Sequence, residues 1–296
     1  MKFFAPAKIN LYLEILNKRN NGTHALKTIF QTVNLQDELE ISRLKSGPKI
    51  ELKIQNSKDL ALEGPKNIVW KAADLFFKNF KAEGGVKILL KKNIPTQAGL
   101  GGGSSDAAAT LKGLAKMFLG KESRSLKTRK LLFRLAKNLG ADVPFFLQGG
   151  CALALGIGEK LTPLPQPPRF WAVIIKPKMG CSTAEAYQWW DTQFSKKLTR
   201  PSDFNRMLNQ IRSKKNIFHY GSCIYNSFED VVFRKYPEFW DIKRQLIQAG
   251  CAYSSLSGSG SAIFGIVSTK ELGAQVREKL AKIYSSVWLV SSLADK

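Results

Sequence analysis

Residues Pro95 to Thr110 read PTQAGLGGGSSDAAAT, and their types suit one kind of chemistry, the holding of a phosphate. Gly99, Gly101, Gly102 and Gly103, with Ser104 and Ser105, lead into an alanine-rich run that reads as a helix from Ala107 to Leu119. A glycine loop at a helix N-terminus offers an anion several unpaired backbone N–H groups and the positive end of the helix dipole. A Walker A loop would need a lysine, and none lies between Asn93 and Lys112. A dinucleotide fingerprint starting at Gly99 would need glycine where Ser104 stands. The same composition also fits a plain turn with Ser104 or Ser105 as helix N-cap, and the loop by itself leaves both readings open.

Other residues of the right chemistry lie far away in the chain. In Ala7 to Ile15, apolar Ala7, Ile9, Leu11, Leu13 and Ile15 alternate with Lys8, Asn10, Tyr12 and Glu14, a strand pattern that sets Lys8 beside Asn10 on one face. A solvated face is the ordinary reading of such a lysine. Asp142 follows Gly140 in GADVPFF, where it fits either a cap for the turn that Pro144 starts or a general base in an apolar setting. His24 comes just after the Asn21-Gly22 turn and is expected in a loop. Ser257 to Ser261, SGSGS, reads as a turn between two apolar strands, where a close backbone approach to another segment is expected. Cys151, Cys181, Cys223 and Cys251 form no CxxC pair, so they read as small core or near-surface residues rather than zinc ligands or disulfides.

The elements that must position these residues alternate between strand and helix. Short strands are expected at Glu38 to Arg43 and Ile50 to Ile54, separated by the Ser46-Gly47-Pro48 turn, and then a helix from Ile68 to Phe80 capped by Asn67. A strand from Val86 to Leu90 delivers the chain to the glycine loop, and a helix from Leu126 to Leu139 ends at Gly140. Cys151 to Leu155 reads as a buried strand, followed by a proline-rich crossing at Pro163 to Pro168, where one lobe is expected to give way to another, 1–158 and 159–296. The second lobe has a strand at Phe170 to Lys176 and a helix begun by Ser182 or Thr183, with Glu185 completing a capping box. Residues 192 to 220 are polar and basic and are expected to be the least ordered. Asn226 opens NSFEDVVFRKYPEFW, a helix is expected from Phe239 to Ala249 and another from Lys270 to Tyr284, and a strand at Val287 to Val290 ends the lobe.

The chain of 296 residues carries 46 lysines and arginines against 23 aspartates and glutamates, a net charge of +23. That excess suits nucleic acid, an anionic membrane surface or an anionic substrate. Clusters such as Lys91-Lys92, Lys196-Lys197 and Lys214-Lys215 are scattered and lack interleaved aromatics, so the charge reads chiefly as solvated faces beside an anionic substrate. No run approaches the roughly 18 apolar residues of a membrane helix, and the expected location is the cytoplasm.

Three separated segments, PAKINLYL from Pro6, PTQAGLGGGSSDAA from Pro95 and LSGSGSAIF from Leu256, resemble in order and spacing the signature segments of the GHMP small-molecule kinases, which include galactokinase, homoserine kinase and mevalonate kinase. The triple glycine before Ser104, the GADVPFF segment and STAEAY from Ser182 are similar to one branch, whose substrate is a cytidine-diphosphate-linked polyol. The resemblance implies an α+β, two-lobed GHMP-kinase fold, with an N-terminal lobe like domain 2 of ribosomal protein S5 and a C-terminal ferredoxin-like α/β sandwich. It implies ATP as co-substrate, held by Pro95, Gly99, Leu100, Gly101, Gly102, Gly103, Ser104 and Ser105, with Asn67 and Lys92 at the adenine pocket. Lys8 and Asp142 become the catalytic pair, and Asn10, His24, Thr183 and Tyr187 the substrate contacts. Magnesium is expected, its ligands unassigned beyond Ser104 or Ser105. The family usually has Gly-Tyr-His where this chain has Gly22-Thr23-His24; the missing ring is expected to weaken cytidine binding by about tenfold or more unless another aromatic moves in. The alternatives are a GHMP kinase for another small hydroxylated substrate and a basic nucleic-acid-binding protein on the same scaffold.

Overall fold

The computed structural model describes residues 1–47, 49–55, 63–194 and 203–294. Pro48 of the first expected turn and the Lys196-Lys197 pair lie outside them. In chain order, β1 (Lys2–Lys18) and β2 (His24–Leu44) are followed by β3 (Ile50–Gln55), α1 (Ile68–Phe80), β4 (Gly85–Lys91), α2 (Gly102–Leu119), α3 (Leu126–Leu139) and α4 (Val143–Gln148). Then come β5 (Cys151–Gly156), β6 (Lys160–Leu164), β7 (Trp171–Ile175), α5 (Thr183–Phe194), α6 (Phe204–Arg212), β8 (Tyr225–Asn226), α7 (Glu229–Lys235), α8 (Glu238–Gln248), β9 (Tyr253–Leu256), β10 (Ile263–Val267), α9 (Lys270–Ala281) and β11 (Val287–Ser291).

Contacts gather these elements into two compact units made of interleaved stretches: Met1–Ala7, Leu35–Thr96 and Gly101–Gln148 in one, Lys8–Asn34, Gln97–Leu100 and Gly149–Lys296 in the other. The long strands β1 and β2 each contribute to both, so the units do not follow the linear boundary at 158.

In the first unit β4 lies between β3, to which it is parallel, and the outer half of β2, antiparallel from Glu38↔Lys91 to Leu44↔Gly85. Helix α1 forms where the spacing says it should: Asn67 accepts a hydrogen bond from Val69 N, and Val69, Ala72, Ala73, Phe76 and Phe77 make one buried stripe. Helix α2 packs closer still, because it is built from small residues. A Cβ on Gly113 would lie 2.5 Å from Ile41 Cδ1, so only glycine lets this helix approach the sheet.

In the second unit the inner half of β2 pairs with β5, and β6 forms the edge beyond it. The proline-rich crossing is thus partly strand. Pro163 sits opposite Ala152 on an edge, where a missing N–H costs little. A four-stranded antiparallel sheet, ordered β11-β7-β10-β9, has α8 and α9 packed against it. The segment expected to be least ordered contains α6 within its described part. Phe204, Met207, Leu208 and Ile211 recur at helical spacing and are buried, an amphipathic stripe that the polar composition concealed. All four cysteines are free and buried.

Candidate active site

Lys8 and Asn10 stand side by side on β1, as the alternation requires, but not on a solvated face. Both are buried, at 3% and 1% exposure, because β1 is covered on both sides through its middle. Lys8 Nζ donates to Asn10 Oδ1 at 2.6 Å, Asn10 Nδ2 to Thr28 Oγ1 at 2.8 Å, and Thr28 Oγ1 to the Tyr12 carbonyl at 2.6 Å. This relay fixes the orientation of the Asn10 amide and, through it, the ammonium, which lies 5.0 Å from the centre of the Phe30 ring.

The first part of the glycine loop is fastened in the same unit. Lys8 N donates to the Leu100 carbonyl at 2.9 Å, Ala262 N to the Ala98 carbonyl at 3.1 Å, and Ser257 Oγ to the Gly99 carbonyl at 3.0 Å. Gly99 has φ +71°, and a Cβ there would lie 1.9 Å from the Ser257 carbonyl oxygen. The close approach expected at the SGSGS turn is therefore to Gly99. A Cβ on Gly258 would lie 3.4 Å from Lys8 Nζ, which places the turn beside the lysine. Thr183 joins this group, with its hydroxyl 2.8 Å from that of Ser259.

His24 is not in a loop. It is the first residue of β2 and is buried, because its ring stacks on Tyr187 at 4.6 Å with planes 12° apart. Its Nε2 lies 2.5 Å from Asp191 Oδ1, and Lys18 Nζ is 2.5 Å from the other carboxylate oxygen. Burial pushes the Asp191 carboxyl up, but hydrogen bonds from Lys18 and His24 outweigh it and hold the group below its usual range. Thr23 turns its N–H and hydroxyl onto Asn21 Oδ1.

In the other unit α2 begins at Gly102, five residues ahead of the expected Ala107, so neither Ser104 nor Ser105 is the cap. Gly101 takes that position at φ +72°, and no side chain caps the helix. Glycine permits the left-handed turn, and the first-turn N–H groups are left without a capping side chain. Gly103 is exposed and Ser104 half-buried; Ser105 is buried, and its hydroxyl has no hydrogen-bond partner among the described residues. Pro95 is half-buried ahead of the loop. Asp142 is half-buried and directly precedes α4.

Lys92 is engaged by two carboxylates. Its ammonium pairs with Asp37 and, at 2.7 Å, with Asp106. Asp37 also accepts from Asn93 N and Ile94 N. Burial raises the Asp106 carboxyl well above its usual range, and neighbouring Asp37 acts in the same direction while Lys92 opposes both. Burial works against the Lys92 charge, but Asp106 and Asp37 more than compensate and its pKa rises. Sequence reasoning missed Asp37, Asp106 and Asp191. Two of them had a signal: Asp106 lies inside the glycine segment, and Asp191 follows Tyr187 by four residues, hence on the same face of α5.

The fold, the glycine loop at a helix start and the buried strand lysine define a class of phosphoryl-transfer proteins, and comparison with known proteins agrees. The family model described as GHMP kinases N terminal domain matches residues 67–150 and that described as GHMP kinases C terminal matches residues 201–286. The chain belongs to the GHMP kinase family. It is 39% identical over 263 residues to a protein of Acetivibrio thermocellus named 4-diphosphocytidyl-2-C-methyl-D-erythritol kinase, covering 88% of each chain. A Desulfitobacterium hafniense protein of the same name is 37% identical over 298 residues, covering 99% of this chain and 96% of the relative. Among solved structures, one of 4-(cytidine 5'-diphospho)-2C-methyl-D-erythritol kinase superposes with a TM-score of 0.79 at 33% identity, covering 99% of both chains. Homoserine kinase from Cytophaga hutchinsonii, at 20% identity and a TM-score of 0.76 over 100% of this chain and 95% of its own, shares the fold.

Proposed function

We propose that this kinase transfers the γ-phosphoryl group of ATP to the 2-hydroxyl of 4-diphosphocytidyl-2-C-methyl-D-erythritol, a step of non-mevalonate isoprenoid synthesis, in the cytoplasm. The observation that carries the reading is 37% identity over 99% of the chain to a relative of that name. The uncapped start of α2 supports a phosphate cradle formed by Gly99 to Ser105. Asp142 accepts the proton of the substrate hydroxyl as its oxygen attacks the γ-phosphorus; the bond to the bridging oxygen breaks, and ADP leaves. Lys8, oriented by Asn10, stabilises charge on the transferring group.

Magnesium fits the loop. The ion takes oxygen ligands, and substrate phosphates and water fill most of its shell, so a single protein hydroxyl suffices. Ser104, half-buried on the first turn of α2, would supply it, whereas the hydroxyl of Ser105 is enclosed. When bound, the ion neutralises charge on the β- and γ-phosphates. Asn67 and Lys92 remain assigned to the adenine side, Lys92 through its stem, since its ammonium is engaged by Asp37 and Asp106. Tyr187 and His24 form a stacked pair suited to a pyrimidine, and Thr183 stands by the Ser259 turn.

Asp142→Asn tests the chemistry: kcat falls by about 10²- to 10⁴-fold while ATP still binds, and retained turnover would place the base elsewhere. Transfer of labelled phosphate to a panel including mevalonate and homoserine tests the acceptor, with the cytidyl polyol expected to dominate. Thr23→Tyr is expected to lower the Michaelis constant for that polyol about tenfold, restoring a stacking ring. An unchanged constant would mean that the cytosine is held without that ring.

A further inference from the structure

We propose that Asn226 is a positioning residue for phosphoryl transfer, acting through the Ser257–Ser261 turn on Gly99 and Lys8. The proposal rests on the reading of Gly99 and Lys8 as site residues, but not on the identity of the alcohol.

Asn226 ends β8, opposite Leu13 of β1, and is 1% exposed. Its Nδ2 donates to the Leu256 carbonyl at 2.7 Å and the Gly258 carbonyl at 2.8 Å, while its Oδ1 accepts from Phe228 N at 2.9 Å. Two carbonyls and one N–H allow a single orientation of the amide, so both donors are committed to the turn. Three residues on, Glu229 holds the strand leading into that turn: its Oε1 accepts from Ser255 Oγ at 2.7 Å and Leu256 N at 2.9 Å. Glu229 thus fixes the strand and Asn226 the turn itself.

The turn in its place touches the proposed machinery. Gly258, whose carbonyl Asn226 holds, has φ +57°, and the position of its absent Cβ lies 3.2 Å from Gly99 Cα and 3.4 Å from Lys8 Nζ. Ser257 Oγ ties the same turn to the Gly99 carbonyl. A rotation of the Gly258 carbonyl away from Asn226 would therefore move atoms against both the phosphate loop and the lysine. Displacements of about 1 Å in such a site cost about 10²-fold in rate.

Asn226→Asp keeps the shape but replaces two donors with a carboxylate facing two carbonyl oxygens. The expected result is a kcat lowered about 10²-fold per folded enzyme, with Michaelis constants for ATP and alcohol changed less than about threefold. The ratio of variant to wild-type kcat is expected to rise as pH falls, because a protonated carboxyl recovers one donor. The charged groups facing this hairpin are Glu229 of α7, paired with Lys243 of α8, and Lys8 of β1; Asn226→Ser carries no carboxyl, so its ratio to wild type is expected to stay flat over the range where that of Asn226→Asp rises. Combining the change with Ser257→Ala should give a loss smaller than the product of the two, since both act through one turn. A kcat near wild type, an Asn226→Asp ratio flat with pH or strictly multiplicative losses would each overturn the proposal. If Asn226→Asp does not fold, Asn226→Ser, which keeps one donor, is expected to show the same selective loss of kcat at smaller size, and a normal kcat there would overturn it equally. The assay uses whichever alcohol the wild-type enzyme phosphorylates, so a wrong acceptor above leaves this comparison standing.

Discussion

Glycine and serine are concentrated at two places, the start of α2 and the Ser257–Ser261 turn, and the two do different work. At the start of α2, Gly101 turns the chain without a capping side chain, Gly103 is exposed, and the helix is joined to the sheet through a cluster of ionisable groups, Asp106 to Lys92 to Asp37. In the turn every residue is buried, and neutral groups hold it: the Asn226 amide, the Ser257 hydroxyl and the backbone of Gln97 and Ala98. One segment leaves its first-turn N–H groups without a side-chain cap; the other uses close packing to hold a neighbouring loop. Composition is the same in both, and the surroundings decide which role follows.

The contrast breaks most visibly at Gly99. An alanine there would set Cβ 1.9 Å from the Ser257 carbonyl oxygen and 2.8 Å from its carbon, backbone atoms that cannot swing aside, at a φ of +71° that itself costs about 1–2 kcal/mol. Gly99→Ala is expected to lower the melting temperature by several degrees and to abolish turnover. Gly103→Ala is the matched control. Its Cβ would meet only Ile68 Cγ2 at 3.7 Å in a helix, so stability should hold or rise by about 0.5–1 kcal/mol. Calorimetry on the two variants checks this, and equal losses would mean that the two segments are packed alike.

Legibility in the sequence follows the same division. The helix from Ile68 to Phe80 and the pairing of Lys8 with Asn10 are local in origin, set by a cap and by period, and the structure reproduces both. The burial of Lys8 is not local, because it depends on what covers β1. The expected loop at His24 became a strand because Tyr187, far along the chain, supplies the ring that covers it. Helix α2 begins early because Gly101, not a serine, makes the capping turn, a feature that side-chain capping rules overlook. The Lys92 cluster brings together residues 37, 92 and 106, and no spacing rule connects them.

That cluster allows a finer test, since a segment containing a buried carboxyl should respond to pH and one held by neutral groups should not. Burial, with Asp37 beside it, raises the Asp106 carboxyl above its ordinary 3.8, so the folded protein binds this proton more tightly than the unfolded chain does. The stability linked to it is complete below the unfolded value and is lost as pH rises through the folded one. Asp106→Asn removes this titration while keeping a carbonyl oxygen for Lys92. The difference in unfolding free energy, variant minus wild type, should therefore grow as pH rises above 3.8 and level off beyond the folded value. Ser257→Ala removes a neutral hydrogen bond on the other side of the comparison and should cost about 1 kcal/mol at every pH. Denaturant titrations across the acidic range read both. A flat difference for Asp106→Asn would mean that its carboxyl titrates alike in folded and unfolded chains, and that charge does not distinguish the start of α2 from the turn.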